Sequence, residues 1–163
     1  MTIHTTITTE AFGELQLIAG DDGLRGLHLA GQKHFVEASE GSRFDPDAAL
    51  FREAARQLDA YAAGELRDFD LPVAFAGTPH QVAVWEGLRA IPFGETLTYG
   101  ELAERVGRPG AARATGAAVG RNPVSIIVPC HRVVGASGSL TGYAGGLPRK
   151  RQLLALEGVL AAA

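Results

Sequence analysis

One cysteine, one tryptophan and one methionine are all that this 163-residue chain has of those types. A lone thiol cannot close an intrachain disulfide or build a multi-thiolate zinc site, so neither device holds the fold. No apolar run approaches the length of a membrane span, and residues 1–10 are polar and threonine-rich, without a basic segment leading into an apolar one. These absences predict a protein of the reducing cytoplasm. Aromatic residues make up only 7% of the chain, yet 46% is hydrophobic, enough for one or two compact domains with a proper core. Positive charge is scarce in the front of the chain. Residues 1–98 carry 7 Lys and Arg against 15 Asp and Glu, whereas residues 99–151 carry 8 against 2. The net charge of −3 argues against nucleic acid for the chain as a whole, but the basic stretch points to an anionic partner for the back half.

Three segments, Thr2–Thr9, Glu14–Ala19 and Leu24–Leu29, alternate apolar and polar residues and read as an antiparallel meander. Residues 30–46 are irregular and receive no function. Asp47 is placed to cap a helix over Ala48–Ala63 with Leu50, Ala54, Leu58 and Tyr61 as its buried stripe and Gly64 at its end. Leu71–Phe75 reads as one further strand, and His4, His28 and His34 as ordinary polar positions. This half is a scaffold, residues 1–76. Ala76-Gly77-Thr78-Pro79 marks the boundary with a second domain, 77–163. The fold class expected is α+β, a small antiparallel sheet with a helix followed by a mostly helical domain.

Thr78 and Pro79 open a helix carrying Val82, Trp85 and Leu88, and Ile91-Pro92-Phe93-Gly94 breaks it. Thr98-Tyr99-Gly100-Glu101 is a capping box for a helix through Val106, with Leu102 and Val106 inward. Gly107-Arg108-Pro109-Gly110 then turns the chain into a second helix, Ala111–Val119. The layout is helix-turn-helix. Reading base edges in the major groove needs long polar side chains. This second helix offers Ala112, Ala114, Thr115, Gly116 and Ala117, with Arg113 the one long side chain. Such a surface suits close approach to a backbone or a minor groove, with Arg113 free to wedge into a base stack. An arginine with no special duty is the competing reading of that position.

Cys130 lies in Ile126-Ile127-Val128-Pro129-Cys130-His131-Arg132-Val133-Val134, a β-branched run read as a buried strand that delivers a thiol, an imidazole and a guanidinium in succession. A free cysteine alone is more often inert core. Two neighbours able to polarise a thiolate favour a working nucleophile. Neighbours on an extended strand face opposite ways, so His131 can help Cys130 only if the chain turns there or through a water. Downstream, Gly135–Gly146 holds five glycines around Tyr143, a loop suited to covering a flat ligand with backbone groups. A last helix begins at Pro148, is anchored by Leu153, Leu154 and Leu156, and stops at Gly158. Arg149, Lys150 and Arg151 crowd its N-terminal end and Glu157 its C-terminal end, against the helix dipole. That placement breaks a local rule, which function can offset, and predicts a basic end beside the phosphates of an anionic partner and an inward Glu157.

Val128-Pro129-Cys130-His131-Arg132-Val133, with Arg113-Ala114-Thr115-Gly116 and Asn122-Pro123 before it, resembles the O6-alkylguanine-DNA alkyltransferases. Gly142-Tyr143-Ala144-Gly145-Gly146-Leu147, Leu153–Gly158, Phe93–Thr96 and Thr98-Tyr99 extend the likeness through most of residues 79–158. The resemblance implies a monomer, without cofactor or metal, acting once on O6-alkylguanine or O4-alkylthymine in double-stranded DNA by base flipping, with cooperative assembly on DNA left open. It implies that Cys130 accepts the alkyl group and that His131 and Glu157 complete a Cys–water–His–Glu network. Tyr99 would assist the leaving guanine, Arg113 would fill the gap it leaves, and Asn122 would brace the turn beside the DNA-contacting helix. Cys130, Val133 and Ala144 backbone groups, under Tyr143, would hold the base. An N-terminal zinc site found in some relatives needs cysteines this chain lacks.

Under that reading, sulfur displaces guanine from the alkyl carbon. Lowering a thiol pKa by two units raises its thiolate fraction roughly 20-fold but cuts nucleophilicity about 6–10-fold. Most of the acceleration must therefore come from positioning and from stabilising the departing base. A turnover Cys–His hydrolase would need no arginine helix or basic half. A non-catalytic alkyltransferase-like lesion binder would lack the acceptor cysteine, and a helix-turn-helix regulator would carry a less alanine-rich second helix.

Overall fold

A computed structural model describes residues 1–32 and 41–160, and its contacts divide the chain into two compact units. Residues 33–40 of the irregular stretch 30–46, His34 among them, lie outside the described residues. The first unit comprises Met1–Phe75 with Pro123–Ser125; the second comprises Ala76–Asn122 and Ile126–Ala163. The sequence places a boundary near residue 76 and gives no hint that 123–125 pack with the first unit.

In the first unit β1 (Ile3–Thr9), β2 (Gly13–Gly20) and β3 (Gly23–Leu29) form an antiparallel meander, joined at its edge by β4 (Arg43–Phe44), parallel to β1. The sheet order is β3-β2-β1-β4. Period-two alternation puts Leu15, Leu17, Ala19, Leu27 and Leu29 into the core. α1 (Ala49–Ala62) buries Phe51, Ala54, Gln57, Leu58 and Tyr61. Its N-cap is Ala48, without a side-chain cap, so Asp47 does not cap it, and Phe51 takes the buried position expected of Leu50. Gln57 belongs to the stripe because its amide clamps the Asp70 backbone, donating to the carbonyl at 3.0 Å and accepting from the N–H at 2.8 Å. Leu71–Phe75 is not a strand. It makes one isolated bridge, Val73 to Leu24, on the outer edge of β3, and Val124 makes another to Leu27.

The second unit starts with α2 (Pro79–Arg89), capped by a full Thr78–Gln81 capping box. A second box, Thr98–Glu101, opens α3 (Tyr99–Arg105), and α4 (Ala112–Gly120) follows a turn in which Gly107 and Gly110 both take φ near +80°. Trp85 pins α2 to α4 by donating from Nε1 to the Ala118 carbonyl at 2.9 Å. Two-residue strands β5 (Leu97–Thr98) and β6 (Val133–Val134) pair in parallel, and α5 (Leu147–Leu156) packs on the Cys130–Arg132 turn. Residues 126–134 are not the continuous strand expected from their β-branched run. Ile126 sits at φ 70°, a left-handed conformation that β-branched residues rarely adopt, and Cys130–Arg132 wind into a short 3₁₀ turn.

Candidate active site

The turn at Cys130–Arg132 is what makes three consecutive polar groups usable. A 3₁₀ helix has three residues per turn, so successive side chains leave the axis roughly 120° apart. Asn122 braces the approach by donating from Nδ2 to the Val128 carbonyl at 2.9 Å, and the Arg132 amide closes the turn onto the Pro129 carbonyl at 3.0 Å. Cys130, His131 and Arg132 are all buried.

His131 and Arg132 converge on Glu157. His131 Nε2 lies 2.7 Å from Glu157 Oε2, and Arg132 donates through Nε to Oε1 at 2.8 Å and through Nη2 to Oε2 at 2.9 Å. The Gly94 amide adds a longer donor to Oε1 at 3.4 Å. Arg132 Nη1 donates to the Ile91 carbonyl at 2.6 Å, and its guanidinium stands 5.8 Å from the centre of the Phe93 ring. A carboxylate held by a bidentate arginine can only accept, so the imidazole carries its hydrogen on Nε2. In a neutral imidazole Nδ1 is then a lone pair, and this nitrogen is buried without a hydrogen-bond partner. Burial, first, holds the His131 pKa below the ordinary histidine value; Glu157 opposes the shift, and the charges of Arg132 and Lys150 add to it.

Burial likewise pushes the Cys130 thiol up, while the Asn122 amide, the charge of Lys150 and the Tyr143 hydroxyl pull it back toward thiolate. Lys150 is fully buried, and its Nζ donates to the carbonyls of Val133 at 2.7 Å, Thr141 at 2.8 Å and Gly142 at 3.2 Å. Its pKa falls to about 8 through desolvation, offset in part by Cys130. Tyr99 donates to the same Thr141 carbonyl at 3.4 Å, and its own pKa is raised by burial and, in smaller part, by Cys130. Tyr99, Ala112, Arg113, Gly116, Thr141 and Gly142 line an open cleft of about 450 Å³. A Cβ at Gly116 would touch the Tyr99 ring at 3.4 Å, so a larger residue there would narrow the cleft.

Of the DNA-contact residues expected from sequence, Arg113 is exposed, and Ala112 and Gly116 share its cleft. Two others need correction: Thr115 is fully buried and Lys150 is inside the site, so neither presents its side chain to a macromolecular ligand, while Asn122 stands as a buried brace on the Val128 carbonyl. Arg149 is half-buried, with Nη1 on the Gly145 carbonyl at 3.5 Å. Val133 contributes its carbonyl to Lys150, Tyr143 acts on the thiol, and Ala144 is half-buried in the glycine-rich loop. Sequence reasoning gave no place to the Arg132–Glu157 clamp or to the Lys150 carbonyl cage. A signal for both exists. Lys150, Leu153, Leu154 and Glu157 fall at i, i+3, i+4 and i+7, one face of α5, and that face is buried.

Sequence models of two domains cover the chain: the 6-O-methylguanine DNA methyltransferase ribonuclease-like domain matches residues 3–75, and the DNA binding domain of the same name matches 79–159. A methylated-DNA--protein-cysteine methyltransferase of Methanosarcina acetivorans is 52% identical over 96% of this chain and 99% of its own length. One from Mycobacterium bovis is 49% identical over 95% of this chain and 92% of its own. Among solved structures, Mycobacterium tuberculosis OGT in complex with DNA superposes with a TM-score of 0.86 at 50% identity, covering 94% of this chain and 91% of that one.

Proposed function

The chain belongs to the 6-O-methylguanine DNA methyltransferase family and is a DNA repair protein that moves the alkyl group of O6-alkylguanine onto a cysteine of its own; we propose that this acceptor is Cys130, reached by a flipped base. The observation that carries the assignment is the placement of the only cysteine on a 3₁₀ turn whose next residue is an imidazole with a free Nδ1, backed by Glu157. Sulfur attacks the alkyl carbon, the S–C bond forms, and the C–O6 bond breaks with its electron pair passing to guanine. The thiol proton passes through a bridging water to His131 and is returned to the departing base, which accepts a hydrogen bond from the Tyr99 hydroxyl. A thioether has no hydrolytic exit, so each molecule reacts once.

Arg113, exposed at the cleft mouth, fills the space left by the extruded base, while Tyr143 and the Val133 and Ala144 backbone flank the base itself. Residues 1–76 serve as scaffold and 77–163 carry DNA binding and transfer. Among the described residues no helix is long and apolar enough to cross a membrane. We infer from the family that the protein acts as a monomer on double-stranded DNA in the cytoplasm.

Intact mass measurement after incubation with a duplex bearing O6-methylguanine tests the acceptor. One methyl group per protein is expected, on the peptide containing Cys130, with none taken up by Cys130→Ser while duplex binding persists. Repeated turnover, or label on another residue, would falsify the assignment. Arg113→Ala should slow reaction with duplex by at least about tenfold and leave reaction with a free alkylated guanine near the wild-type rate, because flipping costs a few kcal/mol only in the duplex. Equal losses on the two substrates would place Arg113 in the displacement itself.

A further inference from the structure

His131 and Glu157, buried together and without other company, would share a proton as imidazolium and carboxylate. In that state both ring nitrogens carry hydrogen and neither can accept one from a thiol. The third member of the cluster changes the balance. Arg132 is permanently charged, and its fork engages both oxygens of Glu157, so the carboxylate is already neutralised before His131 is counted. Protonating His131 would leave the buried cluster with a net positive charge, beside the ammonium of Lys150.

We propose that Arg132 is a positioning residue for the transfer: by clamping Glu157 as a fixed, neutralised anion it makes His131 rest uncharged, with its lone pair on Nδ1 ready for the Cys130 proton. The clamp is itself held from behind. The Ile91 carbonyl takes Nη1 at 2.6 Å and the Phe93 ring lies under the guanidinium, so Arg132 cannot swing away from Glu157. The ionisable groups around His131 are Cys130 and Arg132 on its own turn, Lys150 on α5 and Glu157 at the C-cap of that helix. Helix α2 also packs on the turn; it carries His80 in its first turn, and its Glu86 and Arg89 are directed to solvent and pair with each other at 3.9 Å. The inference rests on Cys130 as acceptor, and the two can fail separately.

The wild-type protein gives the first test, through the nitrogen chemical shifts of labelled histidine between pH 5 and 9. His131 should show the neutral Nε2–H pattern at pH 7; an imidazolium pattern there would overturn the proposal whatever the variants do. The second test follows single-turnover methyl uptake from duplex across the same range. Removing a cation this close to a titrating group shifts its pKa by roughly one to three units. Arg132→Met should therefore move the acidic limb of the rate profile alkaline by that amount, with at least about a tenfold loss at neutral pH. Arg132→Lys keeps the charge and should keep the limb within about half a unit of wild type, at a reduced plateau. Arg132→Met combined with Glu157→Gln removes both charges and should return the limb toward the wild-type position. A uniform loss of rate with an unmoved limb in Arg132→Met would mean a merely structural residue. Should that variant not fold, the lysine variant and the wild-type spectrum still decide. Label found away from Cys130 would instead sink the acceptor assignment and leave the histidine spectrum standing.

Discussion

Thr115 stands on α4 with its hydroxyl buried and without a hydrogen-bond partner, while the Ala111 carbonyl one turn back is taken by the amide of Thr115 itself. An orphaned buried hydroxyl costs about 1–3 kcal/mol, and replacing it with a methyl group of the same shape removes that cost. Thr115→Val should raise stability by roughly 1 kcal/mol, read as a higher urea midpoint at unchanged slope. An unchanged or lower midpoint would show that the hydroxyl is satisfied in solution. At this scale the sequence is legible where chemistry is rare and opaque where burial decides. Cys130 is visible because it has no competitor. Thr115 and Lys150 look like surface residues, because a residue's type does not report which side of a helix it occupies.

α5 shows what an element adds. Its buried face carries Lys150 and Glu157 along with Leu153 and Leu154, so each charge has to be satisfied internally. Lys150 meets that need with three carbonyls, yet desolvation leaves its pKa at about 8 against an ordinary 10.5. Between those values the unfolded chain holds a proton that the native protein has released, so stability gains as pH rises through the window. Below about pH 8 both states are protonated and the penalty is complete. The gain amounts to up to about 3 kcal/mol. Denaturation at pH 7.5 and 10 should show wild type improving relative to Lys150→Met; a constant difference between the two would refute the shifted lysine. The Thr78 helix start and the Thr98 capping box were readable because they are local in sequence. The run 126–134 was not, since β propensity describes a pleated, half-buried surface and this segment is buried around a brace from Asn122.

For the whole molecule, the basic stretch overstates the surface it offers. Two of its eight cations, Arg132 and Lys150, are buried, which leaves Arg105, Arg108, Arg113, Arg121, Arg149 and Arg151 to meet phosphates. Arg149→Ala with Arg151→Ala should weaken duplex binding and flatten the slope of log affinity against log salt by up to about two, roughly 0.9 for each phosphate no longer neutralised. A slope equal to that of wild type would remove this end of α5 from the interface. The expected architecture of a small sheet with one helix, then a helical unit, matches the fold, because alternation and helical periodicity dominate both halves. The return of residues 123–125 to the first unit was not readable, since no local pattern marks a three-residue segment as the partner of a strand.

That return has a consequence for how the chain is made. Leu27, on the outer edge of β3, donates its amide to the Pro123 carbonyl at 2.9 Å and accepts from the Ser125 amide at 3.2 Å. Synthesis runs at about 5–20 residues per second, so an edge whose neighbours lie almost a hundred residues downstream waits on the order of 5–20 s for them. During that interval the nascent first unit presents open backbone groups at Leu27, the kind of edge that recruits foreign strands. The last part of the first unit to be completed is also the segment that immediately precedes the run to Cys130, so the ribosome finishes the scaffold and begins the reactive turn in one continuous motion.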